Sequence, residues 1–179
     1  MNHFAPRADF SIRAATLADA ESLAEFGART FREAFAADNT AEDMRLHLAS
    51  AWSSQLQRAE IANPALDTLL AFTADGLLAA FAQLRSDYAP TQVPTERAIE
   101  LKRFYVDSPW HGTGLARELM AAVEHQARRR GARELWLGVW ERNPRAQAFY
   151  RKCGFEKVGT QIFVVGTDPQ TDHVMLRKL

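Results

Sequence analysis

The feature that most constrains the fold is a segment in which a strand leads through a glycine-rich turn directly into an amphipathic helix. Ile99 to Val106 has the pattern of a strand and is stopped by residues 107–109. After Gly112 and Gly114, apolar residues recur on one helix face until Gly131. Glycines let the backbone approach a ligand, and the unpaired amides that open a helix suit phosphate or pyrophosphate. The segment therefore indicates either an anion site or a plain strand-to-helix turn.

The rest of the chain alternates helical and strand patterns, which predicts an α/β protein with a mixed sheet. Asp75-Gly76 marks a hairpin turn, and Asn143-Pro144 supplies an N-cap and a first-turn proline. Thr16, with Asp19 three positions on, is expected to cap the first helix. The expected strands are 11–14, 68–73, 77–84, 99–106, 135–140, 155–165 and 174–176, and the expected helices are 18–36, 39–52, 56–62, 115–130 and 143–153.

Two segments in this framework resemble the motifs of the GNAT superfamily of N-acetyltransferases. His111-Gly-Thr-Gly-Leu-Ala116 resembles the pyrophosphate motif that follows the fourth strand, although His111 stands where Arg or Gln is usual. Asn143 to Phe155 is similar to the pattern Asn-x-x-Ala-x-x-x-Tyr-x-x-x-Gly-Phe. The resemblance implies the GNAT fold, with about seven mostly antiparallel strands and with strands four and five splayed apart. It also implies acetyl-CoA as the co-substrate.

The resemblance assigns cofactor-binding positions along these segments. The pantetheine would pair with the strand-four backbone, the pyrophosphate with the glycine-rich turn, and further contacts would come from the second motif. The residues are Phe104, Tyr105 and Val106; His111, Gly112, Thr113, Gly114, Leu115 and Ala116; and Asn143, Tyr150 and Lys152.

Two side chains are candidates for the chemistry. In the family, the tyrosine of the second motif protonates the departing CoA thiolate, which assigns this role to Tyr150, since a phenol is protonated at neutral pH. Without the motif, Tyr150 would be read as an amphipathic core residue. Glu100 matches the family position of a strand-four base and is expected to share a strand face with Lys102 and Phe104. A solvated or ion-paired Glu100 is the alternative.

The charges are divided unevenly along the chain. Residues 14–67 carry nine acidic and four basic residues, whereas residues 102–179 carry eight acidic and fourteen basic residues. The basic half holds both CoA motifs, and the acidic half covers the acceptor side in this family, which predicts a cationic small-molecule amine as acceptor. Solvated helix faces are the alternative explanation of the acidic excess.

A further similarity narrows the choice of acceptor substrate. Residues 100–106, 137–143 and 165–172 are similar to the PaiA-type polyamine N-acetyltransferases, which implies spermidine or spermine as acceptors. An amine at a peptide or protein N-terminus, or another small amine, stays open. A CoA-binding sensor without turnover is a further alternative, with His111 as its support. A nicotinamide-binding oxidoreductase is disfavoured because Arg117 stands where its fingerprint needs Gly or Ala.

Composition excludes several other classes. The formal net charge is zero, which argues against a nucleic-acid partner. Neither a secretory leader nor a bilayer-spanning apolar run is visible, so a cytoplasmic protein is expected. The histidines lack metalloprotease spacing and Cys153 is the single cysteine, so no metal is expected. A length of 179 residues predicts one domain over 1–179, and a homodimer would be usual for the superfamily.

Overall fold

The computed structural model describes residues 9–93 and 97–179, which form seven strands and five α-helices. In chain order they are β1 (Phe10–Ala14), α1 (Ala20–Phe35), α2 (Ala41–Ala51), α3 (Ser54–Ala62), β2 (Leu66–Thr73), β3 (Leu78–Arg85), β4 (Ala98–Val106), α4 (Leu115–Arg129), β5 (Glu134–Trp140), α5 (Pro144–Lys152), β6 (Glu156–Val165) and β7 (Asp168–Lys178). Every expected element is present. The largest difference is β7, which begins at Asp168 rather than at residue 174.

The strands lie in one sheet in the order β1-β2-β3-β4-β5-β7-β6. Neighbours are antiparallel except β4 and β5, which are parallel and are connected through α4. A parallel pair needs such a crossover, whereas antiparallel strands are joined by short turns. The arrangement confirms the expected mixed, mostly antiparallel sheet of the GNAT fold.

The two parallel strands pair over a short length only. Ala98, Ile99 and Glu100 of β4 pair with Glu134, Leu135 and Trp136 of β5, and the ladder ends there. β5 continues to Trp140 in register with β7, while β4 continues to Val106 in register with β3. The strands therefore diverge toward their C-terminal ends, which confirms the expected splay.

A β-bulge in β4 exchanges the faces of its side chains. Gln83 pairs with Arg103 and Leu84 with Leu101, so Lys102 is an extra residue in the strand. Phe104 consequently lies on the face that also carries Leu101, whereas Lys102 binds Glu60 on the opposite face. The prediction that Glu100, Lys102 and Phe104 share a face is therefore wrong, because alternation holds only in an unbroken strand.

Helices cover both faces of the sheet. On the face we call the α4 face, α4 inserts a stripe of buried residues, namely Leu115, Leu119, Met120, Val123 and Ala127. On the opposite α1 face, Leu23, Phe26 and Phe31 of α1 pack against Leu70 and Phe81 of the sheet. Within the described residues, no helix is long and apolar enough to cross a bilayer.

Candidate active site

The splay leaves one edge of β4 facing an opening. The amide of Asp107 donates to the Ala79 carbonyl on the β3 side at 2.9 Å. Peptide groups alternate sides along a strand, so those of Tyr105 point toward β3, and those of Phe104 and Val106 point into the opening. Two of the three residues predicted to pair with pantetheine therefore offer backbone groups there, while Tyr105 contributes its ring on the α1 face, stacked 5.4 Å from Phe81.

The turn before α4 forms a cradle of free amides, which we call the amide cradle. Gly112 has φ 81° and Gly114 has φ 100°, a backbone conformation that favours glycine at both positions. Among residues 9–93 and 97–179, no group accepts a hydrogen bond from the amides of Gly112, Gly114 or Ala116. The Thr113 hydroxyl donates to the Trp110 carbonyl at 2.8 Å and holds the turn. With the start of α4 behind it, this geometry suits an anion.

His111 lies at the cradle, but its ring contacts protein groups. Its Nε2 is 2.8 Å from the Val106 carbonyl and 3.2 Å from Nη2 of Arg145 in α5. One nitrogen cannot donate to a carbonyl and accept from a guanidinium at once, so the two contacts exclude each other. Sequence reasoning missed Arg145. Its guanidinium brings a permanent positive charge to the cradle, where His111 stands in place of the usual Arg or Gln.

The two ends of α5 differ in their relation to the cradle. Asn143 is the N-cap, as predicted: its Oδ1 accepts from the Ala146 amide at 3.0 Å. Lys152 is exposed at the last position of α5, about 10 Å along the helix axis from Arg145. The fold therefore brings Asn143 to the cradle end of α5 and leaves Lys152 at the other end.

Tyr150 borders the opening from the α4 face. It is 8% exposed, and its ring lies 6.3 Å from Phe104, 5.5 Å from Phe149 and 5.8 Å from Phe155. No described residue forms a hydrogen bond with its hydroxyl. Burial, and to a lesser degree Tyr105, raise the pKa of the phenol above its ordinary value. The side chain is thus a protonated phenol that can donate to a ligand; its role as acid stays a prediction.

Glu100 lies at the closed end of the opening, opposite Trp136 in the last β4–β5 pair. It is 7% exposed and accepts from Nε of Arg85 at 2.5 Å. Burial raises the pKa of the carboxyl despite the neighbouring guanidinium. The ion-paired state considered for Glu100 is therefore present, and its role as base stays a prediction.

Sequence reasoning missed a second buried carboxylate, Asp172 of β7. It pairs with Trp140 and is 8% exposed, and no described residue forms a hydrogen bond or ion pair with its carboxylate. Burial raises its pKa from 3.8 to about 6. The available signal was Gly138 inside an otherwise apolar strand, because interior strand glycines mark a close approach: a methyl group at this position would stand 2.9 Å from Oδ2 of Asp172.

A group of aromatic side chains on the α1 face begins at Trp140, the strand partner of Asp172. The Trp140 ring lies 5.9 Å from Phe35, at the end of α1. His47 stacks on Phe31 at 4.2 Å and lies 5.7 Å from Phe163, which extends from β6. We call Phe35, His47, Trp140 and Phe163 the aromatic rim. The Phe and Trp rings among them can attract organic cations through their faces.

Most of the acidic residues of the N-terminal half are already engaged. Six of the nine between residues 14 and 67 bind neighbouring groups: Asp19, Glu33, Glu42, Asp43, Glu60 and Asp67. Little of the acidic excess is thus available as free charge for a cationic acceptor. Within the described ranges, no group of three His, Cys, Asp or Glu side chains could hold a metal ion.

Comparison with known proteins finds relatives that are all named as acetyltransferases. Residues 29–155 match the acetyltransferase (GNAT) family model. The chain is 36% identical over 167 residues to an uncharacterized N-acetyltransferase of Mycobacterium tuberculosis, covering 91% of this chain and 99% of the relative. It is 31% identical over 155 residues to aminoglycoside N(6')-acetyltransferase type 1 of Stenotrophomonas maltophilia, covering 86% and 90%.

A solved structure shares the whole architecture. The crystal structure of a PaiA N-acetyltransferase from Thermoplasma acidophilum in complex with coenzyme A superposes with a TM-score of 0.79 at 24% identity, covering 96% of this chain and 99% of that one. At this identity the likeness establishes a common fold.

Proposed function

The chain belongs to the GNAT family of acetyltransferases, and we propose that it transfers the acetyl group of acetyl-CoA to a primary amine of a polyamine such as spermidine or spermine. One observation carries the proposal. A free strand edge, a cradle of free amides and a buried phenol without a hydrogen-bond partner among the described residues all lie at the β4–β5 opening.

These groups match the parts of acetyl-CoA in order. The pyrophosphate would lie on the amides of the cradle, with Arg145 beside it as a cation. The pantetheine has amide groups that would pair with the peptide groups of Phe104 and with the amide of Val106, whose carbonyl His111 already contacts, as an added strand does. The residues present therefore fit CoA without rearrangement of the strands.

The chain's own groups would then act on the reaction. Bound acetyl-CoA supplies a thioester whose carbonyl carbon is attacked by the amine nitrogen. A backbone amide of β4 that faces the opening would polarise the carbonyl oxygen. Tyr150 would donate its phenolic proton to the departing sulfur, since burial keeps the phenol protonated.

Support for a polyamine comes from the acceptor side of the opening. Asp172 supplies one buried carboxylate for an ammonium group, and the aromatic rim offers ring faces for a cationic chain. The similarity of three segments to PaiA-type enzymes points the same way. The relative named for aminoglycoside acetylation favours a second candidate, an amino sugar with several primary amines.

A thiol-release assay tests the function directly. Purified protein is incubated with acetyl-CoA and with spermidine, spermine, an aminoglycoside, free amino acids or a peptide with a free N-terminus. We expect thiol release with the polyamines at kcat/KM at least about 100-fold above that with amino acids. Release with the aminoglycoside alone would replace the polyamine by the second candidate. CoA binding without release for any amine would favour a sensor.

A further inference from the structure

We propose that Asp172, rather than Glu100, receives the ammonium group of the acceptor and takes its proton. The inference rests on the proposed amine acetylation and names the acceptor-binding residue of that site. Its basis is the position of the carboxylate, the absence of a partner for it among the described residues, and the contrast with Glu100.

The position follows from the order of strands. β7 lies beside β5, so the backbone of Asp172 is separated from the gap between β4 and β5 by one strand, β5. Its side chain leans over Gly138, where a methyl group would stand 2.9 Å from Oδ2 and 2.6 Å from Nε2 of Gln161. Gly138 lies beyond Trp136, the last β5 residue that pairs with β4. The carboxylate therefore lies over β5 at the level of the opening, and the missing side chain at 138 makes room for it.

Among the described residues, no cation forms an ion pair with Asp172. β5 presents Gly138 and Trp140, β6 presents the uncharged Gln161, and β4 presents Tyr105. Tyr105 is close enough to feel the Asp172 charge. Burial raises the pKa of that phenol to about 12, with a smaller contribution from Asp172, although Arg103, which is bound to Glu60, acts in the opposite direction; the phenol therefore stays neutral. A buried carboxylate is normally paired, because its desolvation is costly otherwise. An ammonium group from the acceptor would supply the missing partner.

Glu100 lacks these properties. Its carboxylate is held by Arg85, and it lies where β4 and β5 still pair, at the narrow end of the opening. An amine there would have to displace a guanidinium. Tyr105, by contrast, interacts electrostatically with both Asp172 and Tyr150, the proposed base and the proposed acid.

The proton balance of the step is complete. The ammonium loses one proton to Asp172, which later releases it to water. The freed nitrogen pair forms the C–N bond, the C–S bond breaks, and the sulfur keeps its electron pair and takes the proton of Tyr150. The nitrogen sheds a second proton, which restores the Tyr150 phenol through solvent. The products are the N-acetyl amine, CoA thiol and one proton.

Kinetics of two matched variants test the assignment. With the amine that wild type uses best, Asp172→Asn should lower kcat/KM about 100-fold and remove the acidic limb near pH 6 from its pH profile. Glu100→Gln should keep that limb, even where loss of the Arg85 pair lowers the overall rate. CoA affinity, measured by calorimetry, should be unchanged in Asp172→Asn. Loss of the limb in Glu100→Gln alone would overturn the inference.

A direct titration does not depend on turnover or on the folding of a variant. In wild-type protein labelled with ¹³C at the Asp carboxyls, one resonance should titrate near pH 6. Spermidine should shift that midpoint downward by about one pH unit, because the ammonium stabilises the charged carboxylate. An unmoved midpoint, with or without thiol release, would overturn the inference. An absence of release alone would contradict the proposed function and leave the shift as the test of Asp172.

Discussion

Among single residues, Tyr150 is the one whose change should separate chemistry from binding. Tyr150→Phe keeps the ring contacts with Phe104, Phe149 and Phe155 and removes the proton donor. We expect kcat to fall about 100-fold while the Kd for CoA changes less than about twofold. Thiol release and calorimetry measure the two. Undiminished kcat would make Tyr150 a core residue only.

Arg145 should carry part of the cofactor affinity. Its guanidinium touches His111 at the amide cradle, so Arg145→Ala should raise the Kd for CoA about tenfold at low salt, and less at high salt. Arg129→Ala removes an equal charge from an exposed position at the far end of α4. A similar rise in both variants would mean that net charge, rather than contact at the cradle, sets the affinity.

Residues whose surroundings come from their own segment were predictable. Asn143 was expected as an N-cap because its acceptor lies three residues on. The face of Phe104 was predicted wrongly, since the bulge at Lys102 depends on pairing with β3. Asp172 was missed because its environment is made by Gly138 and Gln161, which the fold alone brings beside it.

At the level of elements, the start of α4 depends on Gly114. Gly114→Ala meets nothing within 4 Å but places a side chain at φ 100°, which should cost about 1–2 kcal/mol of unfolding free energy. It should also weaken CoA binding, because the strain shifts the cradle amides. Gly131→Ala, at φ 77° beyond the other end of α4, should lose similar stability without weakening CoA binding. Urea unfolding and calorimetry separate the two effects.

Whole elements were predicted well where periodicity and caps agree. α1, α4 and α5 follow apolar spacing with recognisable termini, such as the Thr16–Asp19 box before α1. β7 was predicted too short, because its first half carries Thr171, Asp172 and His173 rather than an apolar run. Pairing with β6 forms that half of the strand, and a partner strand is not visible in local sequence.

Burial of Asp172 should make the free energy of unfolding of the whole molecule depend on pH. A carboxyl whose pKa rises from 3.8 to about 6 on folding favours the folded state below pH 3.8 and loses that contribution as the pH rises through 6. At pH 7.5, Asp172→Asn should therefore be more stable than wild type by about 3 kcal/mol, with the difference vanishing near pH 3.5. Urea unfolding across pH measures it; equal stabilities throughout would indicate an unburied carboxylate.

The architecture as a whole followed from the two motif segments through their family resemblance, while the order of strands did not follow from periodicity. Alternation identifies a strand but not its neighbours, so the position of β7 between β5 and β6 required the structure. That position places Asp172 next to β5, on the β5 side of the opening.

The short ladder between β4 and β5 means that the sheet is two half-sheets joined by three residue pairs. A pantetheine bound along β4 would then complete the backbone pairing of the protein as well as present a thioester. Amide hydrogens of Phe104 and Val106 should exchange with deuterium at least about tenfold more slowly once CoA is added, while the Tyr105 amide, already directed toward β3, should change little. The co-substrate would in this way serve as a removable part of the scaffold.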